Sequence, residues 1–240
     1  MIHLLDETTS TNDEARRGDY AEGDIVWAES QTAGRGQRGH AWSSSRGLDA
    51  TFSIVAKPSF IPAARQFAIS RITALALVDT FAAFGIAARI KWTNDIYVGD
   101  RKITGVLIEN DLAGGMLARS VIGIGININS RDFDPSLPNP TSMAAECGRE
   151  FDRREVVERL HGNFTALYAS LKNGGEENIH RRYDSLLYHL NEYHTFALPD
   201  GVRFEASVLG TEPSGRLILR HADGTVRAYA FREMEFVLKK

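Results

Sequence analysis

The chain has 240 residues, 43% hydrophobic and 25% charged, a balance that fits an ordinary soluble enzyme with one sizeable core and a small satellite domain. Lys and Arg total 28 against 31 Asp and Glu, and the resulting net charge of −3 lacks the basic footprint of a nucleic-acid-binding domain. The single cysteine, Cys147, excludes an intramolecular disulfide framework, fits a reducing compartment and is expected in a small buried or half-buried niche.

At the N-terminus, acidic Asp6 and Glu7 arrive too soon for a secretory leader. No run approaches the roughly 18 apolar residues of a membrane-spanning helix. A cytoplasmic protein with no membrane partner is expected, and the sequon at Asn163 is expected to be idle. Thr11-x-x-Glu14 has the form of a capping box that opens a helix. Segments 24–30, 50–56, 88–92, 102–109 and 119–126 are rich in β-branched or aromatic residues and are predicted strands, with a tight hairpin turn at Gly99-Asp100. Between the second and third of these, Phe67, Ile72, Leu75, Val78 and Phe81 share a broad apolar face, predicting a helix from Pro62 to Phe84 that Gly85 stops.

A loop rich in Pro, Asn and Asp covers 129–141. Val156, Val157, Leu160, Phe164, Leu167 and Leu171 then recur helically up to Gly174-Gly175, and a second helix is predicted over 176–190. Beyond Asn191 short strands alternate with glycine turns, which reads as a small β-barrel. The expected fold is therefore α+β over 1–190 with an all-β domain over 191–240.

Residues 34–39, GRGQRG, match a dinucleotide-binding fingerprint letter for letter. That fingerprint must open a helix, whereas the polar HAWSSSRG that follows has no helical period. The next strand ends in Lys57, where a ribose-binding carboxylate is wanted, and there is no Walker lysine. Glycine backbone and the forked charges of Arg35 and Arg38 instead describe an anion-binding loop, with Trp42 an aromatic plate able to cover a purine.

Ser10-Thr11-Asn12, Gln31, GRGQRG with Trp42, KWTND (91–95), KITG (102–105) and GIGIN (123–127) occur in an order and spacing that resemble the biotin protein ligase family. The match runs over most of 9–129, and the tail resembles that family's small SH3-like domain. The resemblance implies a class II synthetase-like catalytic fold, a mixed β-sheet flanked by helices. It also implies a two-step reaction: biotin and ATP form biotinyl-5'-AMP, and biotin then passes to a lysine of a carboxylase's biotin carboxyl carrier domain.

By the same resemblance Ser10, Thr11, Asn12 and Gln31 hold the ureido ring. Gly34, Arg35, Gly36 and Gln37 belong to the biotin loop, and Gly105 and Gly123 let the pocket walls close on the ligand. Lys102 contacts the biotin carboxylate and bridging phosphate, while Lys91 faces the ATP phosphates. Arg38, Trp42, Asn94 and Asn127 contact the nucleotide, and Asp95 helps hold Mg2+. Arg35, Lys91 and Lys102 are the expected catalytic cations. At position 37 the family often carries arginine, and Gln37 can hydrogen-bond a phosphate without neutralising it.

Lipoate or octanoate ligases share this chemistry and are the nearest alternative, although GRGQRG-W with KWTND matches the biotin branch better. A noncatalytic biotin-binding protein is a further alternative. Some relatives are DNA-binding repressors, but here Ser10 already belongs to the ligand site, so no DNA partner is expected. A homodimer is allowed without being required.

Overall fold

Strand 116–126 explains the layout of the molecule. Its isoleucines 122, 124 and 126 fall on one face and join the main core, while Val121, Gly123 and Gly125 fall on the other. A sheet built on such a strand buries one face under helices and leaves the other with shallow, glycine-lined ground. The structure, a computed structural model, describes residues 1–37 and 41–237. In chain order its strands and helices begin with β1 (Ile2–Thr8), α1 (Thr11–Arg17), β2 (Ile25–Gln31), β3 (Ala50–Ala56) and α2 (Phe67–Ala83). Next come β4 (Arg89–Lys91), β5 (Asp95–Val98), β6 (Arg101–Ala113), β7 (Met116–Ile126) and α3 (Met143–Cys147). Helices α4 (Arg153–Lys172) and α5 (Glu176–Ser185) precede β8 (Tyr193–Ala197), β9 (Arg203–Thr211), β10 (Leu217–His221), β11 (Val226–Tyr229) and β12 (Glu235–Phe236).

The first seven strands form one mixed sheet in the order β1-β2-β3-β7-β6-β5-β4, in which only the β1–β2 pair is parallel. Helix α2 lies on the isoleucine face, under α4 and α5. Buried on nearly every side, it is apolar all round rather than along one face, as a helix sandwiched between a sheet and other helices must be. By length and composition 63–83 passes as a membrane span, contrary to expectation, yet it is this buried core helix. The last five strands form a second, wholly antiparallel sheet, β11-β10-β9-β8-β12.

Arg71 ties the two sheets together. Wholly buried in α2, it donates to Thr211 Oγ1 at 3.1 Å and to the carbonyl oxygens of Glu212 at 2.6 Å and Pro213 at 3.3 Å. Thr211 in turn donates its hydroxyl to Asp184 of α5 at 2.7 Å, and Trp92 Nε1 donates to the Gly215 carbonyl at 2.9 Å.

Five expectations need correction. Helix α2 starts at Phe67, because residues 63–65 after the extended Pro62 form a separate 3-10 turn. Helix α5 stops at Ser185, since Leu187 pairs with Ile90 and Leu190 with Val208, linking edge strand β4 of the first sheet to β9 of the second. Ser10, not Thr11, caps α1, and it does so without a side-chain bond; the Thr11 N–H is satisfied by Gln31 Oε1 at 2.8 Å. Cys147 is exposed, because it is the last residue of a one-turn helix closed by left-handed Gly148. Strand β1 went unpredicted: only Leu5 of its residues packs on the small second-face cluster, so its apolar signal is weak.

Candidate active site

The glycine face of the sheet, the start of α1, residues 35–37 and 41–49 and the last residues of the second sheet enclose a cleft of about 940 Å³. Gly105 and Gly125 are direct partners across β6 and β7, and the Trp42 indole lies over both. A Cβ on Gly105 would fall 2.8 Å from Trp42 Cζ3, and one on Gly125 would overlap the ring. Trp42 therefore forms a floor of the cleft. Gly125 was missed by sequence reasoning although it continues the alternation of Gly123. Gly123 serves a different purpose, for its bare backbone makes room for the Asn12 side chain.

At one end of the cleft stand Ser10, Thr11, Asn12 and Gln31, all polar and all at or beside the start of α1. Asn12 has no idle amide atom: Nδ2 donates to Glu109 at 2.8 Å and to the Leu107 carbonyl at 3.3 Å, and Oδ1 accepts from Ser53 at 2.7 Å. Neither Glu109 nor Ser53 stood out in the sequence, because each sits at an ordinary strand position.

The other end carries two lysines, Lys91 and Lys102. Lys102 pairs with Asp95 at 2.9 Å, and its Nζ lies 5.9 Å from the Trp42 ring. Lys91 Nζ lies 5.3 Å from the Tyr97 ring and 5.2 Å from that of Phe236, so the second sheet reaches the site. Burial, reinforced by Asp95, pushes the Tyr97 phenol above its ordinary value, so it stays protonated. Arg35, on the loop, is held by Asp13 at 2.7 Å and Glu109 at 3.2 Å. Asn127 lines the same end and donates to the Thr141 carbonyl at 2.9 Å. Phe133 and Leu137, from the 129–141 loop that had no expected role, also line it.

Three positions depart from expectation, and a fourth lies outside the described residues. Asn94 is buried in the turn 92–94 and does not line the cleft, whereas its neighbours Lys91, Trp92, Thr93 and Asp95 all do. Gly34 also does not line it; a Cβ there would overlap the Trp42 carbonyl, so this glycine closes the base of the loop, where the Trp42 N–H donates to the Gly34 carbonyl at 2.9 Å. Gly36 does reach the cleft. Gln37 lines the cleft, but its Nε2 is spent 3.3 Å from both Thr93 Oγ1 and the Val106 carbonyl oxygen rather than presented to a phosphate. Arg38 lies outside the described residues. No helix follows the loop over 41–49, as the rejection of a dinucleotide turn requires.

The donor set also bears on magnesium. Among the described residues no group of three or more His, Cys, Asp or Glu is placed to cage an ion. Asp95 stands beside Lys102, and the further carboxylates of the lining, Asp49, Asp132, Asp134 and Glu235, are not grouped with it, which fits an ion carried largely by nucleotide phosphates.

A model of the "Biotin/lipoate A/B protein ligase family" matches residues 2–127, more than half the chain and all of the seven-stranded sheet. The chain belongs to this family. A "Biotin--[acetyl-CoA-carboxylase] ligase" of Paracoccus denitrificans is 31% identical over 230 residues, covering 92% of this chain and 95% of that protein. A "Bifunctional ligase/repressor BirA" of Bacillus spizizenii is 29% identical over 231 residues, 95% of this chain and 70% of that protein. The biotin protein ligase of Aquifex aeolicus, solved with biotin and ATP, superposes with a TM-score of 0.85 over 99% of each chain at 22% identity. That likeness confirms the α+β fold with its small β domain.

Proposed function

We propose that this family member is an ATP-dependent biotin protein ligase, with 1–190 as its catalytic domain and 191–240 as a small SH3-like domain. The carrying observation is the division of one cleft into a polar end at Ser10–Asn12 and Gln31 and an end that bears Lys91 and Lys102, spanned by the Trp42 floor. A ligand with a neutral hydrogen-bonding head and an anionic tail fits that division, and the Paracoccus relative, covered nearly end to end, carries the same activity in its name.

In the first step the biotin carboxylate oxygen attacks the α-phosphorus of ATP, the bond to the bridging oxygen breaks, and pyrophosphate departs. A carboxylate is already a nucleophile at neutral pH, so no general base is needed. Lys102 and Lys91 offset the repulsion between the two anions, and Arg35 joins them once released from Asp13 and Glu109. Asp95 would hold magnesium, which supplies further positive charge against the phosphates. The 34–37 loop shields the mixed anhydride from water. In the second step the amine of a carrier-domain lysine attacks the acyl carbon, an amide forms, and AMP leaves.

The carrier domain, rather than DNA, is the macromolecular partner of this reading, in keeping with the net charge of −3, and the cytoplasm is the compartment in which it works. The test is biotin-dependent ATP–pyrophosphate exchange on the purified chain, with lipoate and octanoate as controls. Exchange with biotin alone supports the reading. Exchange only with lipoate or octanoate moves the protein to the sister ligases, and biotin binding without exchange makes it a binding protein.

A further inference from the structure

Behind the ligand-facing start of α1 runs a row of polar groups whose protons have only one consistent arrangement. Glu109 stands 3.2 Å from Arg35 and 3.5 Å from Arg16 and is a carboxylate, able only to accept. Asn12 must therefore turn its NH2 group toward Glu109, 2.8 Å away, which leaves Oδ1 facing Ser53 Oγ at 2.7 Å. Amide oxygen can only accept as well, so the Ser53 proton goes to Asn12. Ser53, wholly buried, also lies 2.8 Å from Thr11 Oγ1. Its one proton is already committed, so the hydrogen in that second contact belongs to Thr11. With its proton drawn inward, Thr11 Oγ1 offers the cleft lone pairs only.

We infer that Glu109 and Ser53 are positioning residues that set the hydrogen-bond polarity of the head-group end, making Thr11 an acceptor for a ring N–H of the ligand. The inference rests on the biotin reading and deepens it. A cyclic urea brings N–H donors to Thr11, whereas a dithiolane ring brings none and leaves a desolvated lone pair unmet. Polarity thus passes from Glu109 through Asn12 and Ser53 to Thr11 without Glu109 touching the ligand.

The experiment measures biotin affinity of the full chain by calorimetry, without nucleotide, for wild type, E109A, E109Q, S53A, T11V and the doubles E109A/T11V and S53A/T11V. Each of E109A, S53A and T11V weakens binding about tenfold, and each double stays near tenfold instead of reaching a hundredfold, since all remove one contact. E109Q, whose amide oxygen still accepts from Asn12, recovers most of the affinity. Ser53 touches neither Arg35 nor Arg16, so S53A isolates the relay from the other partners of Glu109 and stands in if E109A fails to fold. Additive losses in the doubles, or wild-type affinity in S53A, overturn the inference. Failure of the wild-type chain to bind biotin overturns the ligand reading beneath it, and shows before any substitution is compared.

Discussion

The Lys102 ammonium is held 2.9 Å from the Asp95 carboxylate, with the face of Trp42 on its other side. An incoming anion must draw Lys102 out of that pair, so the lysine is spent on the ligand only when the ligand arrives. Lys102→Gln is expected to slow biotin-dependent pyrophosphate exchange by about 10²-fold, the scale of losing one charge-stabilising donor. Thermal unfolding should move little, because the pair is a third exposed and contributes little to stability. Exchange within threefold of wild type would remove Lys102 from the chemistry.

Gly125→Ala places a methyl group inside the Trp42 ring and must lift the indole from the sheet. Biotin affinity is expected to fall at least tenfold, with a shift in tryptophan emission on the same protein. Gly162→Ala is the control, since that helical glycine has open space around its Cβ position and the substitution stabilises by about 0.5–1 kcal/mol. Equal behaviour of the two variants would show that the close approach has no bearing on the ligand.

Arg71→Ala strips three acceptors on the second sheet of a buried charged donor. The expected loss is about 3 kcal/mol, or roughly 10 °C in thermal midpoint for a chain of this size. Limited proteolysis should find a new cut near 190–192 as the second sheet loosens. An unchanged midpoint would place the hold between the sheets elsewhere.

Acid should weaken the same junction. His194 stacks on His189 with ring centroids 4.3 Å apart, and burial, aided by His189, lowers its pKa from the ordinary 6.5. The folded state therefore favours the neutral imidazole. Its contribution is present above pH 6.5 and is lost as pH falls toward the lower folded value. Thermal midpoints measured downward from pH 7 should decline, and His194→Phe should flatten that decline. A parallel decline in the variant would assign it to other groups.

The local pattern of residues was enough to determine most strands of the first sheet, the core helix and the β-rich tail, but not β1, whose parallel pairing with β2 is what makes the sheet mixed. β-branched runs and helical periods record which side each residue buries, and burial is what drives those elements to form. The motif order was likewise enough to place Ser10–Asn12, Trp42, Lys91 and Lys102 in one site. Which neighbours hold them was decided only by the tertiary structure. Asn94 and Thr93 are adjacent letters, yet the turn buries one away from the cleft and brings the other to its lining. Gly125 matters because Trp42, more than 80 residues earlier, lies on it, and Glu109 because Asn12, 97 residues away, turns its amide to it. Hydrogen bonds and close approaches across such separations depend on sheet order and loop path, which no local pattern of residue types records.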